Sequence, residues 1–218
     1  MFFRTDLPLL AEEESDLAQH RNPIRRLEWM AGRWLLHKLT KAPQRLPLAK
    51  DAFAKPFFPE NQEIACSLSH SKGNVGALIS NAPGSLSDAH RSAFLANHSI
   101  GCDIQVLTPK MPVIAPKFLN KAENDFVESR PETEHLDLLH LYWTAKESLY
   151  KAYGLKALDF RQNILVSSIR WDGLNGTGTG EVKRGAIQQD YQLIFSKLIL
   201  PEGNELIWAV CRGWLIGD

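Results

Sequence analysis

Residues 143–154, read as WTAKESLYKAYG, are the stretch on which the rest of the chain depends. Apolar residues recur through this stretch and just before it at steps of three and four, namely Leu138, Leu141, Ala145, Leu149 and Ala152. That spacing predicts a helix with one buried stripe, ending at Gly154 because glycine readily adopts the left-handed conformation that closes a helix. Glu147 and Lys151 lie four residues apart and should project from one face of this helix.

A second stretch, Ile100–Val106, reads IGCDIQV and alternates apolar with polar residues, which predicts a β-strand. Asp103 and Gln105 should leave the same face of the strand, about 7 Å apart. Oxygen ligands spaced in this way suit Mg²⁺, which takes one or two carboxylates and completes its shell with water and substrate phosphate. A solvated strand face and an ordinary surface ion pair on the helix would give the same patterns, so these residues alone leave both interpretations open.

Five segments, in order along the chain, resemble the 4′-phosphopantetheinyl transferase superfamily. The strand and the helix described above resemble its two signature segments, which lie about forty residues apart. The other three are residues 55–59 (KPFFP), residues 67–71 (SLSHS) and residues 117–119 (KFL) followed by Glu123. Ser67 stands where asparagine is commoner in the family. The resemblance covers residues 55–154.

The resemblance implies a reaction in which the phosphopantetheine arm of coenzyme A moves to a serine of an acyl or peptidyl carrier protein. Adenosine 3′,5′-bisphosphate is the other product. The resemblance also implies that Asp103 and Glu147 hold Mg²⁺, with Gln105 nearby where many relatives have glutamate. Glu147 would take the proton of the serine, Lys151 would stabilise phosphate oxygens, and Lys146 is a weaker catalytic candidate.

The expected contacts with coenzyme A come from the first half of the chain. In relatives the histidine matching His70 contacts a phosphate of the coenzyme, and Ser69 lies beside it in the same segment. Lys55 and Pro56 belong to another matching segment. Arg33 ranks first among the arginines of a predicted helix, as a contact for the 3′-phosphate of coenzyme A or for an acidic helix of the carrier, because a planar guanidinium suits phosphate oxygens. A solvated helix face is the alternative for Arg33.

The predicted fold class is α+β, with helices and small antiparallel sheets partly segregated along the chain. The resemblance implies two similar α+β halves, residues 1–97 and 98–218, related by a pseudo-twofold axis with the active site in the cleft between them. The glycine-rich run at residues 173–180 opens no helix, so we expect a flexible hairpin connection there and not a phosphate-binding loop.

Bulk composition restricts the class of protein. The chain has 218 residues, 44% of them hydrophobic, and 25 basic residues balance 25 acidic ones. This balance argues against a general binder of nucleic acid or of membrane surfaces. The three cysteines lie in apolar alternations and predict buried thiols in a reducing compartment. Without a secretory or membrane-spanning apolar run, a cytoplasmic protein is expected, and we expect a monomer.

Two other functions remain open from the sequence. Another Mg²⁺-dependent enzyme acting on phosphodiesters, such as a nuclease, would also use Asp, Glu and Lys, although the neutral charge balance offers nucleic acid little to bind. A non-catalytic module that binds coenzyme A or a carrier protein would need the phosphate contacts without the metal. The amide of Gln105 adds weight to that alternative.

Overall fold

The structure, a computed structural model, describes residues 7–81, 99–155 and 157–213. It has the predicted α+β class. The helices are α1 Ala11–Gln19, α2 Pro23–Thr40, α3 Met111–Ile114, α4 Lys121–Glu128 and α5 Glu132–Tyr153, with a 3₁₀ helix at Ala115–Lys117. The strands are β1 Ala49–Lys50, β2 Pro56–Phe57, β3 Ile64–Ser71, β4 Asn74–Asn81, β5 Ile100–Val106, β6 Ile164–Trp171, β7 Asn175–Arg184, β8 Ile187–Ile199 and β9 Glu205–Gly213.

Helix α5 packs across a five-stranded antiparallel sheet of order β5-β9-β8-β7-β6. The predicted apolar stripe of α5 is buried in the main core, and the helix ends at Gly154 in the left-handed conformation with φ 75°. Strands β3 and β4 form a separate hairpin, against which α2 packs. Both sequence stretches that predicted the helix and the strand are confirmed.

Gly101 allows α5 to lie directly on β5. A Cβ atom at this position would overlap the carbonyl oxygen of Ser148, so any larger residue would push the helix away. Ser148 also donates from its hydroxyl to the carbonyl oxygen of Ala209 on β9, at 3.0 Å. The close approach brings Asp103, two residues after Gly101 on the same face of the strand, next to the last turns of α5.

The other edge of β5 is joined to β3 by side chains instead of a backbone ladder. Three buried serine hydroxyls of β3 accept the backbone N–H groups of every second residue of β5, at 3.0, 3.1 and 3.1 Å; the pairs are Ser67 with Cys102, Ser69 with Ile104, and Ser71 with Val106. This row of serines fixes the hairpin of the first half of the chain against the sheet of the second half.

The predicted hairpin connection at residues 173–180 is confined to residues 173 and 174. The prediction was wrong for residues 175–180, which belong to β7. A turn closes at Asp172, whose carboxylate accepts the N–H groups of Leu174 and Asn175 at 2.8 and 2.6 Å, and β7 then begins at Asn175. Glycine serves packing here. A Cβ atom at Gly180 would lie 2.6 Å from the side chain of Leu149, so the glycine makes room for α5 on the sheet.

The cysteines, the boundary between the two halves and the search for membrane-spanning helices complete the comparison with the sequence. All three cysteines are buried and unpaired, as predicted, and burial raises the pKa of each thiol. The expected boundary between residues 97 and 98 lies at the end of a segment outside the described residues, and the pseudo-twofold relation stays a prediction. Among the helices of the described ranges, none is long and apolar enough to cross a membrane.

Candidate active site

Asp103 on β5 and Lys151 near the C-terminal end of α5 form an ion pair where the helix packs on the strand. The ammonium of Lys151 donates to Oδ1 of Asp103 at 2.7 Å and to the carbonyl oxygen of Cys102 at 3.1 Å. Asp103 is buried, and Lys151 is partly exposed. The structure therefore brings together an acid and a lysine that lie 48 residues apart in the sequence.

Glu147 lies one turn before Lys151 on the same helix. Burial, and after it the negative charge of Asp103, raise the pKa of Glu147 to about 7 against the opposing effect of Lys151. Within the part of the chain that the structure describes, no hydrogen bond or ion pair holds its carboxylate. Two acids thus share one lysine, which leaves negative charge that a bound cation would neutralise.

Gln105 lies two residues beyond Asp103 and is half-buried. Its amide nitrogen donates to the carbonyl oxygen of Val106 at 3.1 Å, and this bond leaves the amide oxygen available. No cluster of three or more His, Cys, Asp or Glu side chains suited to a metal occurs among the residues described. A cation here would depend on Asp103, Glu147 and the amide oxygen, a hard-oxygen set that fits Mg²⁺.

Ser69 is buried between β3 and β5, and its hydroxyl donates to Oδ1 of Asp103 at 2.6 Å. The sequence placed this residue among the coenzyme contacts. In the structure the described partners of its hydroxyl are Asp103 and the backbone of Ile104.

His70 points to the opposite side of β3 and meets two residues of α2 that the sequence reasoning missed. Its Nδ1 lies 3.1 Å from Glu28 Oε2, and its Nε2 contacts the guanidinium of Arg25. Glu28 also accepts the N–H of Gly73 in the β3–β4 turn at 2.8 Å. Burial and then Arg25 lower the pKa of His70, whereas Glu28 opposes this shift. The i, i+3 spacing of Arg25 and Glu28 was a usable signal that they share one helix face.

Two adjoining cavities border these residues. One, of about 250 Å³, is lined by the basic side chains of Arg25, Arg33, Lys50 and His70, among others. The other, of about 190 Å³, is largely apolar and has Lys55 and Lys151 in its wall. Both cavities share Pro56 and Leu68 as lining residues, so they lie side by side.

Arg33 is buried, and its charge already has a partner. Its Nε donates to Glu13 Oε1 at 3.3 Å, and its guanidinium carbon lies 3.3 Å from the ring centre of Trp29. Burial lowers the pKa of Arg33 to about 10. The side chain of Arg33 therefore lines the basic cavity while it is ion-paired with Glu13. The alternative expected for Arg33, a solvent-exposed position on the helix, was wrong, because the residue is buried.

Lys55 is tied to the end of α5. Its ammonium donates to the carbonyl oxygen of Ala152 at 2.8 Å, which satisfies an acceptor that the end of a helix leaves open. Burial lowers the pKa of Lys55. The residue borders the apolar cavity together with Pro56, which leaves a coenzyme contact open to it.

Lys146 lies elsewhere, on the core side of α5. Its buried ammonium has three acceptors, the carbonyl oxygens of Phe160 and Ile164 at 2.6 and 2.7 Å and Glu123 Oε2 at 2.8 Å. All three of its donors are therefore used. This position does not support the catalytic role expected of Lys146.

Comparison with known proteins identifies the family. Residues 99–211, more than half of the chain, match the 4′-phosphopantetheinyl transferase superfamily. The chain therefore belongs to this superfamily, and the resemblance seen in the sequence is confirmed. The matched part contains Asp103, Glu147 and Lys151.

Curated relatives of similar sequence include the 4′-phosphopantetheinyl transferase AcpT of Salmonella typhimurium (strain LT2) and that of Salmonella typhi. Each is 26% identical to this chain over 141 residues. The similarity covers 63% of this chain and 64% of each relative, so the chain spans a little less than two thirds of their length.

Proposed function

We propose that the protein transfers the 4′-phosphopantetheine arm of coenzyme A to a serine of an apo acyl or peptidyl carrier protein and releases adenosine 3′,5′-bisphosphate. The observation that carries this proposal is the meeting of Asp103 and Lys151 beside Glu147, within the part of the chain that matches the superfamily. Phosphoryl transfer needs positioned charges more than covalent chemistry from the protein. These three side chains supply such charges.

The donor set fits a divalent cation. Asp103, Glu147 and Gln105 would hold Mg²⁺, which when bound neutralises negative charge on the pyrophosphate of coenzyme A. None of the described residues forms a hydrogen bond or ion pair with the carboxylate of Glu147, which supports this assignment, because a buried charge without a counter-ion is costly.

Two residues of α5 carry the remaining chemistry in this proposal. Glu147 takes the proton of the carrier serine, directly or through a water, from its place one turn before Lys151 on the same face of α5. Lys151 uses two of its three N–H donors on Cys102 and Asp103, and the third is left for a phosphate oxygen.

The adjoining cavities would hold the coenzyme. Arg25 and Lys50 offer positive charge to its phosphates with His70 beside them in the same wall, and the walls formed by Phe53 and Tyr150 suit the flat adenine ring. The neutral charge balance and the buried thiols support a cytoplasmic enzyme whose substrate is a protein and not a nucleic acid.

The test is intact-mass spectrometry of an apo carrier protein incubated with coenzyme A and Mg²⁺. We expect a mass gain of one phosphopantetheine arm, which is lost in EDTA and nearly lost in Asp103→Ala and Glu147→Ala. Glu132→Ala, at an exposed acid in the first turn of α5, is the matched control and should keep wild-type activity. An unmodified carrier with the wild-type protein, or a fully active Asp103→Ala, would contradict the proposal.

A further inference from the structure

The serines of β3 that face β5 form equivalent contacts except at one position. Ser67, Ser69 and Ser71 are two residues apart, so strand alternation directs all three to the same side. Each oxygen accepts one backbone N–H of β5. Ser69 also donates its own hydrogen to an acidic side chain, Oδ1 of Asp103 at 2.6 Å.

The geometry of this hydroxyl is fixed from both sides. Its oxygen accepts the N–H of Ile104 at 3.1 Å, so its hydrogen must point away from that amide and toward Asp103. Hydrogen bonds to a carboxylate are short and strong, and burial of Ser69 removes competition from water.

Both donors to Asp103 end on the same carboxylate oxygen. Oδ1 receives the hydroxyl of Ser69 and the ammonium of Lys151, at 2.6 and 2.7 Å. Oδ2 has no partner among the residues that the structure describes. Two donors on one oxygen fix the rotation of the carboxylate and leave the other oxygen to a ligand.

We propose that Ser69 is a positioning residue, which together with Lys151 holds Oδ1 of Asp103 so that Oδ2 is the oxygen presented to the divalent cation. This rests on the proposed function, because it assumes that Asp103 binds the cation. Ser69 acts through Asp103 and not on the reacting atoms. Loss of such an outer hydrogen bond typically weakens metal binding about 10- to 100-fold.

The test is binding of Mn²⁺ to the full chain, measured by electron paramagnetic resonance, in Ser69→Ala and in Ser67→Ala. Ser67 is the matched control, because its buried hydroxyl accepts the N–H of Cys102 as Ser69 accepts that of Ile104. We expect the Mn²⁺ dissociation constant to rise at least about tenfold in Ser69→Ala and to change little in Ser67→Ala. Thermal unfolding should shift down in both and further in Ser69→Ala, which loses its bonds to Ile104 and Asp103, whereas Ser67→Ala loses its bond to Cys102.

Ser69→Thr should restore binding, because it returns the hydroxyl. If Ser69→Ala does not fold, Ser69→Thr and Ser69→Val provide the comparison, since the two side chains have nearly the same shape and only one has a hydroxyl. In the transfer assay, Ser69→Ala should need more Mg²⁺ for half-maximal rate with the KM for coenzyme A unchanged. Equal Mn²⁺ affinity in Ser69→Ala and Ser67→Ala would overturn the positioning role.

The outcome is separable from that of the proposed function. If Ser69→Ala weakens Mn²⁺ binding while the wild-type protein leaves the carrier unmodified, the positioning role holds and the proposed transfer fails. If the wild-type protein modifies the carrier but both alanine variants bind Mn²⁺ as wild type does, the transfer holds and the positioning role fails.

Discussion

Replacing Lys146 by methionine should separate the stability of the fold from the chemistry of the site. The lysine is 0% exposed and donates to two carbonyl oxygens and to Glu123, at 2.6 to 2.8 Å. Methionine keeps the apolar stem but has no donor. The carboxylate of Glu123 would then stay buried without its cation, although it still accepts the N–H groups of Asn120 and Val166.

Removing one partner of a buried ion pair costs about 3–5 kcal/mol of the free energy of unfolding. In a chain of this size, 1 kcal/mol shifts the unfolding midpoint by about 2–4 °C, so we expect Lys146→Met to lower Tm by about 6–20 °C. Lys151→Met is the matched comparison on the same helix. The side chain of Lys151 is 27% exposed and Asp103 keeps its hydrogen bond from Ser69, so this loss should cost less of the free energy of unfolding than the loss of Lys146, while transfer is abolished.

The assay combines thermal unfolding, followed by circular dichroism, with the carrier assay well below the lowest midpoint. Lys146→Met should be the less stable of the two variants but active, and Lys151→Met the more stable one but inactive. Adding Glu123→Gln to Lys146→Met should recover part of the lost stability, because the uncompensated charge is removed. A Lys146→Met variant with wild-type Tm and no transfer would refute this reasoning and support a catalytic role for Lys146.

Three further changes test the electrostatics of the site. In EDTA, Glu147→Gln should raise Tm at pH 8 but not at pH 4.5. The pKa of Glu147 rises from 4.5 to about 7 on folding, so the folded state binds more protons and wild-type stability falls as pH rises across that interval. An equal Tm difference at both pH values would contradict this. Gln105→Glu adds a charge and should lower the Mg²⁺ concentration for half-maximal rate about tenfold, unless superimposed titrations exclude Gln105 from the metal. Glu28→Gln can keep an oxygen on the N–H of Gly73 while turning an NH₂ group toward His70 in place of the carboxylate oxygen that now lies against Nδ1. The ring of His70 is then no longer held in position, so the KM for coenzyme A should rise with kcat nearly constant. An unchanged KM would speak against His70 as a coenzyme contact.

The parts of the site that depend on strand alternation or on helical spacing could be predicted from the sequence. The alternation of β5 and the helical spacing of α5 depend on neighbouring residues, so strand, helix and the stop at Gly154 were all found. The same spacing placed Glu147 and Lys151 on one face. Bringing Asp103 into one site with Glu147 needed the family resemblance, because no local pattern links residues so far apart, and the ion pair of Asp103 with Lys151 was not predicted.

Contacts between distant residues could not be predicted in this way. Helical spacing cannot show that the face of α5 bearing Lys146 turns toward Glu123 and the core. Nothing near Lys55 in the sequence indicates that its ammonium binds the end of a helix 97 residues later. Gly180 suggested a loop by composition, yet it makes room for Leu149, a requirement that exists only after α5 packs on the sheet.

In the proposed reaction, the cluster around Asp103 cleaves the pyrophosphate of coenzyme A and passes the arm to a carrier serine. The most direct measurement counts both products in one incubation of apo carrier, coenzyme A and Mg²⁺: the arm on the carrier, located by tandem mass spectrometry, and free adenosine 3′,5′-bisphosphate. We expect one bisphosphate for each modified serine with the wild-type protein and neither product with Asp103→Ala. Bisphosphate released without a modified carrier, or equal product from Asp103→Ala, would contradict the account.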